Sequence, residues 1–117
     1  MSVLVVDSDH IFREAVINLL LICGIMAYNV ASSGQEALVK ISGNGFDVVL
    51  VNASRPDINS LQLAGELRQR KPNLKIILII EDEHLAALNG ADLTELKFPT
   101  ILKSALNQEL PDLLAGE

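Results

Sequence analysis

The stretch Phe46-Asp47-Val48-Val49-Leu50-Val51-Asn52 decides the fold of this chain. A short apolar run rich in β-branched residues is typical of a parallel strand that is buried on both faces. Asn52 ends the run, and an open α/β sheet binds its ligands at the carboxyl ends of its strands. A carboxylate there would be able to attack phosphorus, whereas an amide carries no charge and has a poor nucleophilic oxygen. The stretch therefore predicts a reaction site whose nucleophile has been replaced.

On both sides of this strand, short apolar runs alternate with longer segments of helical period, which indicates a βα repeat. The predicted strands are 3–6, 27–31, 48–51, 76–80 and 93–96. The predicted helices are about 9–23, 33–42, 60–70 and 83–88, followed by a last helix that Thr100 caps, with Leu102, Ala105, Leu106 and Leu110 inward. The pattern predicts an α/β fold of the flavodoxin-like, doubly wound type, with a five-stranded parallel sheet and helices on both faces.

The size and composition of the chain fit one domain. The 117 residues are half apolar, and no linker-like or repeated segment divides them, so we expect a single domain over 1–117, with the start of a linker at 111–117 as an open alternative. A net charge of −6 argues against direct binding of nucleic acid. The basic residues Arg68, Arg70, Lys71 and Lys75 are interpreted as a solvated helix end.

The cellular compartment is inferred from the same features. Cys23 is the single cysteine and lies in an apolar stretch, which favours buried packing in a reducing compartment. The apolar stretch is too short to cross a bilayer, and the N-terminus lacks the basic region of a secretory signal. We expect a cytoplasmic protein without membrane contact.

The strand ends of such a sheet meet at one edge. They would bring together Asp7-Ser8-Asp9, Asn52, Ile80-Glu81 and Lys97. At this point the chain resembles the receiver domain of bacterial two-component response regulators, over nearly its whole length. The residues that carry the resemblance are Val5-Val6-Asp7, Arg13, the segment 33–38, the segment 46–51, Arg55-Pro56-Asp57, Gly90-Ala91-Asp92 and Lys97.

The resemblance implies a CheY-like sheet of strand order 2-1-3-4-5 and a phosphorylation switch. In that family an aspartate at the end of the third strand accepts a phosphoryl group from a histidine kinase, with Mg²⁺ held by an acidic pair after the first strand. A Thr or Ser after the fourth strand and a Lys after the fifth contact the phosphoryl oxygens, and an aromatic residue of the fifth strand signals the change.

Matched to that pattern, the sequence departs at nearly every working position. Asn52 stands at the phosphoacceptor position, Ser8 replaces one member of the acidic pair although Asp9 follows, and Ile80 replaces the hydroxyl residue. The switch aromatic falls at Thr94, and the helix after the fourth strand is shorter than usual in the family. The degenerate pocket then comprises Asp7, Ser8, Asp9, Asn52, Ile80 and Lys97.

The physical chemistry of these replacements predicts loss of phosphotransfer. Mg²⁺ prefers carboxylate and phosphate oxygens, and Asp7 is the one certain carboxylate left, so we expect weak or no Mg²⁺ binding, no other cofactor and no catalytic residue. Ile80 offers no hydrogen bond to a phosphoryl oxygen. Without metal, Lys97 is expected to form an ion pair with Asp7, and Asn52 to donate a hydrogen bond to the same carboxylate.

The leading hypothesis is an atypical receiver (pseudo-receiver) that works through protein contacts and is not an enzyme. A protein partner or an output domain would bind through the face of Leu85, Leu93 and Leu102, and a homodimer is an open alternative. A phosphoacceptor receiver that uses Asp57 or Asp9 is the alternative function. A flavodoxin-like cofactor binder is disfavoured, because Asp7-Ser8-Asp9 would repel phosphate and few aromatic residues would stack on a flavin.

Overall fold

A five-stranded parallel sheet forms the centre of the molecule. The computed structural model describes residues 1–43, 45–53, 59–80 and 98–115. The strands are β1 (Ser2–Val6), β2 (Ala27–Ala31), β3 (Val48–Asn52), β4 (Lys75–Ile80) and β5 (Thr100–Leu102). They pair in the order β2-β1-β3-β4-β5, and each neighbouring pair is parallel. The predicted fold class and strand order are confirmed.

The helices begin and end where the sequence provides caps. They are α1 (His10–Ile22), α2 (Gly34–Gly43), α3 (Ser60–Arg70) and α4 (Leu106–Ala115), with a 3₁₀ turn at Lys103–Ala105 before α4. The carboxylate of Asp9 accepts the Ile11 N–H at 3.0 Å, and the side chain of Asn59 accepts the Gln62 N–H at 3.1 Å. Gly24 ends α1 with φ of 84°, a conformation that favours glycine.

Alternation along the strands divides the buried residues between two faces. On one face, α1 and α4 cover the side chains of Val3, Val5, Val48, Leu50, Ile77, Ile79 and Ile101. On the other face, α2 and α3 cover those of Leu4, Val6, Val49, Val51, Ile76 and Leu78. This double cover explains the nearly continuous apolar runs of β3 and β4.

The fifth strand was predicted at 93–96, and this position is wrong, because the strand that pairs with β4 lies further along the chain. That partner is Thr100–Leu102, in the register Leu78–Thr100, Ile79–Ile101 and Ile80–Leu102. Thr100 therefore does not cap the last helix; its hydroxyl donates instead to the carbonyl of Phe98 at 3.2 Å. The connection from Ile80 to the fifth strand is correspondingly longer than the sequence reading assumed.

The C-terminal segment is also more ordered in secondary structure than expected. Helix α4 continues through Pro111 to Ala115, and Leu106, Leu110 and Leu114 are buried against the sheet at helical spacing. Residues 111–115 belong to α4. The predicted short helix 83–88 lies outside the described residues, as does Asp57. No helix within the described ranges is long and apolar enough to span a membrane.

Candidate functional site

Asp7 and Asn52 meet at the carboxyl edge of the sheet. Asp7 directly follows β1, Asn52 is the last residue of β3, and these strands are neighbours. Nδ2 of Asn52 donates a hydrogen bond to Oδ2 of Asp7 at 3.0 Å. The two residues are 1% and 4% exposed, so this amide–carboxylate contact is made away from bulk water. The hydrogen bond expected from the sequence is present.

The other oxygen of the same carboxylate is also engaged. Oδ1 of Asp7 accepts the backbone N–H of Asp9 at 2.8 Å, which folds the segment between β1 and α1 back on the strand end. The guanidinium of Arg13 reaches back from α1 and donates from Nη1 to the carbonyl of Asp7 at 2.9 Å. Each oxygen of the buried Asp7 carboxylate therefore accepts an N–H donor, and Arg13 holds the backbone carbonyl of the same residue.

The remaining members of the predicted pocket have different surroundings. Ser8 and Asp9 are half-buried, and Asp9 uses Oδ1 to cap α1. Ile80 ends β4 and is fully buried, so an aliphatic side chain stands where a hydroxyl would be needed to reach a phosphoryl oxygen. The structure brings Asp7, Ser8, Asp9, Asn52 and Ile80 to the same edge of the sheet.

Lys103 is the lysine that directly follows the fifth strand, and the sequence reading missed it. Its Nζ lies 4.2 Å from the centroid of the Phe12 ring, a cation–π contact with the first turns of α1. This contact places the ammonium beside the helix that Asp9 caps. Lys97 and Thr94, assigned from the sequence to the strand-end lysine and the switch position, lie outside the described residues. Relative to the observed β5, Lys103 directly follows the strand and Thr100 lies three residues before that lysine, as Lys97 and Thr94 were placed relative to the predicted strand.

The donor set of this edge fits Mg²⁺ poorly. Mg²⁺ is held in proteins by carboxylate oxygens and water in near-octahedral geometry. Both oxygens of Asp7 already accept N–H donors, and Asn52 turns its NH₂ group, which cannot ligate a cation, toward the carboxylate. The carboxylate of Asp9 is used as a helix cap. A metal at this edge would have to share these carboxylate oxygens with the N–H groups.

The basic residues at the end of α3 take part in contacts within the domain. Arg68 lies over the Phe98 ring at 5.2 Å, Arg70 donates to the Ser42 hydroxyl at 3.0 Å, and Lys75 donates to the Leu113 carbonyl at 2.6 Å. They join α3 and β4 to neighbouring elements. The cluster was interpreted from the sequence as a solvated helix end; instead, these three side chains contact other parts of the domain.

The predicted partner-binding face is only partly within the described residues. Leu102 is half-buried on β5, whereas Leu106, which was expected to point inward, is 6% exposed and packs in the core. Leu85 and Leu93 lie outside the described ranges. The face remains a proposal that rests on Leu102.

The sequence matches the family model described as response regulator receiver domain over residues 3–91. FleR, a response regulator protein of Pseudomonas aeruginosa, is 31% identical over 78 residues, which are 67% of this chain and 16% of FleR. The response regulator GacA of Pseudomonas viridiflava is 32% identical over 78 residues, 66% of this chain and 36% of GacA. The chain thus spans well under half of the length of these relatives.

Solved structures share the fold over almost the whole chain. The response regulator protein TrrA of Thermotoga maritima, solved in complex with Mg²⁺-BeF, superposes with a TM-score of 0.82 at 30% identity and covers 99% of this chain and 98% of that one. A receiver domain protein of Clostridium thermocellum gives a TM-score of 0.82 at 23% identity and shares the fold. The strand order and these matches agree: the chain belongs to the response regulator receiver domain family.

Proposed function

We propose that this receiver domain does not switch by aspartyl phosphate and acts as a phosphorylation-independent protein-interaction module of a two-component-type pathway. The observation that carries the proposal is the hydrogen bond from Asn52 to Asp7 at 3.0 Å. It places a neutral amide at the end of β3, where the family places its phosphoacceptor, and it occupies one oxygen of the carboxylate that a metal would need.

The chemistry of the surrounding residues supports the same reading. An amide oxygen is a poor nucleophile, and Ile80 offers no hydrogen bond to an oxyanion. The carboxylate of Asp7 is arranged to accept N–H groups rather than to bind Mg²⁺. Nucleophile, metal ligands and hydroxyl donor would all have to be supplied from elsewhere. A single replacement would leave the other two functions intact, whereas here the nucleophile, the hydroxyl donor and one member of the acidic pair are replaced together, and Asp7 remains.

The signalling role then depends on contacts with another protein or with an output domain. FleR and GacA are much longer than this chain, so in those relatives the matching segment is one part of a larger protein. We propose that a partner or output domain binds next to β5, on the side of Leu102, and that the fraction bound is set by partner concentration rather than by a phosphoryl group.

The test is incubation with phosphoramidate and Mg²⁺, followed by intact mass spectrometry. The protein is expected to keep its mass, while TrrA treated in parallel serves as a comparison receiver. An Asn52→Asp variant is the matched control, since it restores a carboxylate at the end of β3 and changes no other residue.

The surrogate-acceptor alternative gives a different result in the same experiment. If the wild-type protein gains one phosphoryl group, the proposal fails, and Asp9→Asn and Asp57→Asn variants identify the acceptor by removing the gain. Asp9 is disfavoured as an acceptor because its Oδ1 accepts the Ile11 N–H.

A further inference from the structure

β2 is an edge strand of the sheet and is largely exposed, and its pairing with β1 shows which of its backbone groups point outward. In a strand, the N–H and C=O of one residue point to the same side, and successive residues alternate. The carbonyl of Ala31 accepts the N–H of Asp7 at 3.0 Å, so the backbone N–H and C=O groups of Ala31 and Asn29 point toward β1. Tyr28 and Val30 therefore direct their backbone groups away from the sheet.

Both outward groups of Val30 are bonded to side chains. Oδ1 of Asn29 accepts the N–H of Val30 at 2.8 Å. Nζ of Lys40, which reaches over from α2, donates to the carbonyl of Val30 and, at 3.0 Å, to Oδ1 of Asn29. One lysine and one asparagine thus satisfy the donor and the acceptor that an incoming strand would use.

The lysine is itself held in place. Oε2 of Glu36, one turn earlier in α2, lies 3.3 Å from the ammonium of Lys40. Oε1 of Glu36 accepts the N–H of Ser32 at 2.7 Å and its hydroxyl at 2.9 Å. Glu36 therefore fixes both the end of β2 and the cation that covers it. In the described part of the chain, Tyr28 is the residue of β2 whose outward backbone groups carry no such cap.

We infer that Asn29, Lys40 and Glu36 form an edge clamp that closes β2 to strand addition by a second copy of this chain. An uncovered edge strand pairs readily with another edge, and lysine at an edge is one of the ways in which proteins prevent this. The occupant excluded here is the same β2 edge of a second molecule, because two such edges present the same alternating donors and acceptors. The clamp leaves the helical faces and β5 for partner binding.

Two variants release the clamp and one serves as control. Asn29→Thr removes the acceptor for the Val30 N–H at an exposed position, and Lys40→Met removes the donor to the Val30 carbonyl but keeps the aliphatic chain. Lys71→Met, at an exposed position outside β2, removes the same charge and is the matched control. Each lysine variant makes the protein more acidic, so charge repulsion opposes any association.

The first measurement is amide hydrogen exchange by NMR. In the wild-type protein the Val30 amide is expected to exchange about fivefold more slowly than the Tyr28 amide, which corresponds to a hydrogen bond of roughly 1 kcal/mol. In Asn29→Thr the two rates should become similar. Equal rates in the wild type would overturn the inference, since Val30 would then not be capped in solution.

The second measurement is sedimentation velocity over a concentration series. The double variant Asn29→Thr/Lys40→Met is expected to form a species of twice the wild-type mass, while Lys71→Met sediments like the wild type. A double variant that keeps the wild-type mass while its Val30 amide exchanges freely would refute the clamp. Should Lys40→Met fail to fold, Asn29→Thr alone provides the same two readouts.

Discussion

Nδ2 of Asn52 and Oδ2 of Asp7 are joined by a buried hydrogen bond of 3.0 Å, which links the ends of β3 and β1. In a receiver domain these two positions belong to the phosphorylation site. Here the amide of Asn52 donates a hydrogen bond to the carboxylate of Asp7 and adds no second negative charge. The contact explains how Asp7 is tolerated at 1% exposure without Mg²⁺ as a necessary partner.

The first prediction concerns the charge of this pair. Asn52→Asp would place two carboxylates at hydrogen-bond distance, and like charges at that separation disfavour the folded state. We expect the free energy of unfolding at neutral pH to fall by about 1–3 kcal/mol, the cost of a buried polar group that has lost its partner. Urea denaturation gives this value.

The same variant also tests metal binding. Addition of Mg²⁺ should raise the unfolding free energy of Asn52→Asp, because a ligand that binds the folded state stabilises it, and should leave that of the wild type unchanged. An equal Mg²⁺ response in both proteins would show that residue 52 does not control metal binding.

The second prediction separates the roles of Asp7 and Asp9. Asp7→Asn removes a buried acceptor of two N–H donors and is expected to lower the unfolding free energy by about 1–3 kcal/mol. Asp9→Asn should change it by only a few tenths of a kcal/mol, because asparagine caps a helix about as well as aspartate. Chemical denaturation of both variants checks this, and the reverse order of effects would contradict the assignment.

The third prediction compares Lys103, which follows β5, with Lys97. Lys103→Met removes the cation over the Phe12 ring and should cost about 0.5–1 kcal/mol, seen as a lower Tm. The ion pair between Lys97 and Asp7 stays a prediction from sequence, and it expects Lys97→Met to lower stability on the order of 3 kcal/mol. Thermal unfolding of both variants shows which lysine stabilises the protein. An unchanged Tm for Lys97→Met would contradict the predicted ion pair between Lys97 and Asp7.

The fourth prediction concerns pH and the edge clamp. Hydrogen bonds from the backbone and hydroxyl of Ser32, followed by the contact with Lys40, hold the pKa of Glu36 below its usual value of 4.5. A carboxyl whose pKa is lowered in the folded state stabilises the protein above its unfolded pKa, and the contribution is lost as pH falls through the folded pKa.

The stability difference between the wild type and Glu36→Gln should therefore be largest above pH 4.5 and shrink below it. Urea midpoints measured across this range check the sign. A difference that is constant with pH would mean that the charge of Glu36 does not matter.

The sequence was sufficient for the buried part of the fold and for the Asp7–Asn52 contact. The runs of β3 and β4 are apolar at every position that the helices cover, and caps such as Asp9, Asn59 and Gly24 set the helix ends. Residues that end two neighbouring parallel strands must lie close together, so topology alone brings Asp7 to Asn52.

The fifth strand could not be located from periodicity. Residues 93–96 and 100–102 are both short segments that contain Thr and Leu, and each is followed by a lysine, Lys97 or Lys103. Pairing with β4 separates them, and pairing is a tertiary property that local pattern does not contain. Pro99 directly before Thr100-Ile101-Leu102 was the available local signal, since proline is common at the start of an edge strand. The edge clamp was missed because it depends on the approach of α2 to β2.

The most direct test of the central claim is a crystal structure of this chain grown with Mg²⁺ and beryllium fluoride, the combination present in the TrrA structure. We predict that the Asn52–Asp7 hydrogen bond persists and that neither group is bound between these residues. A structure with Mg²⁺ and beryllium fluoride seated between Asp7 and Asn52 would contradict the account.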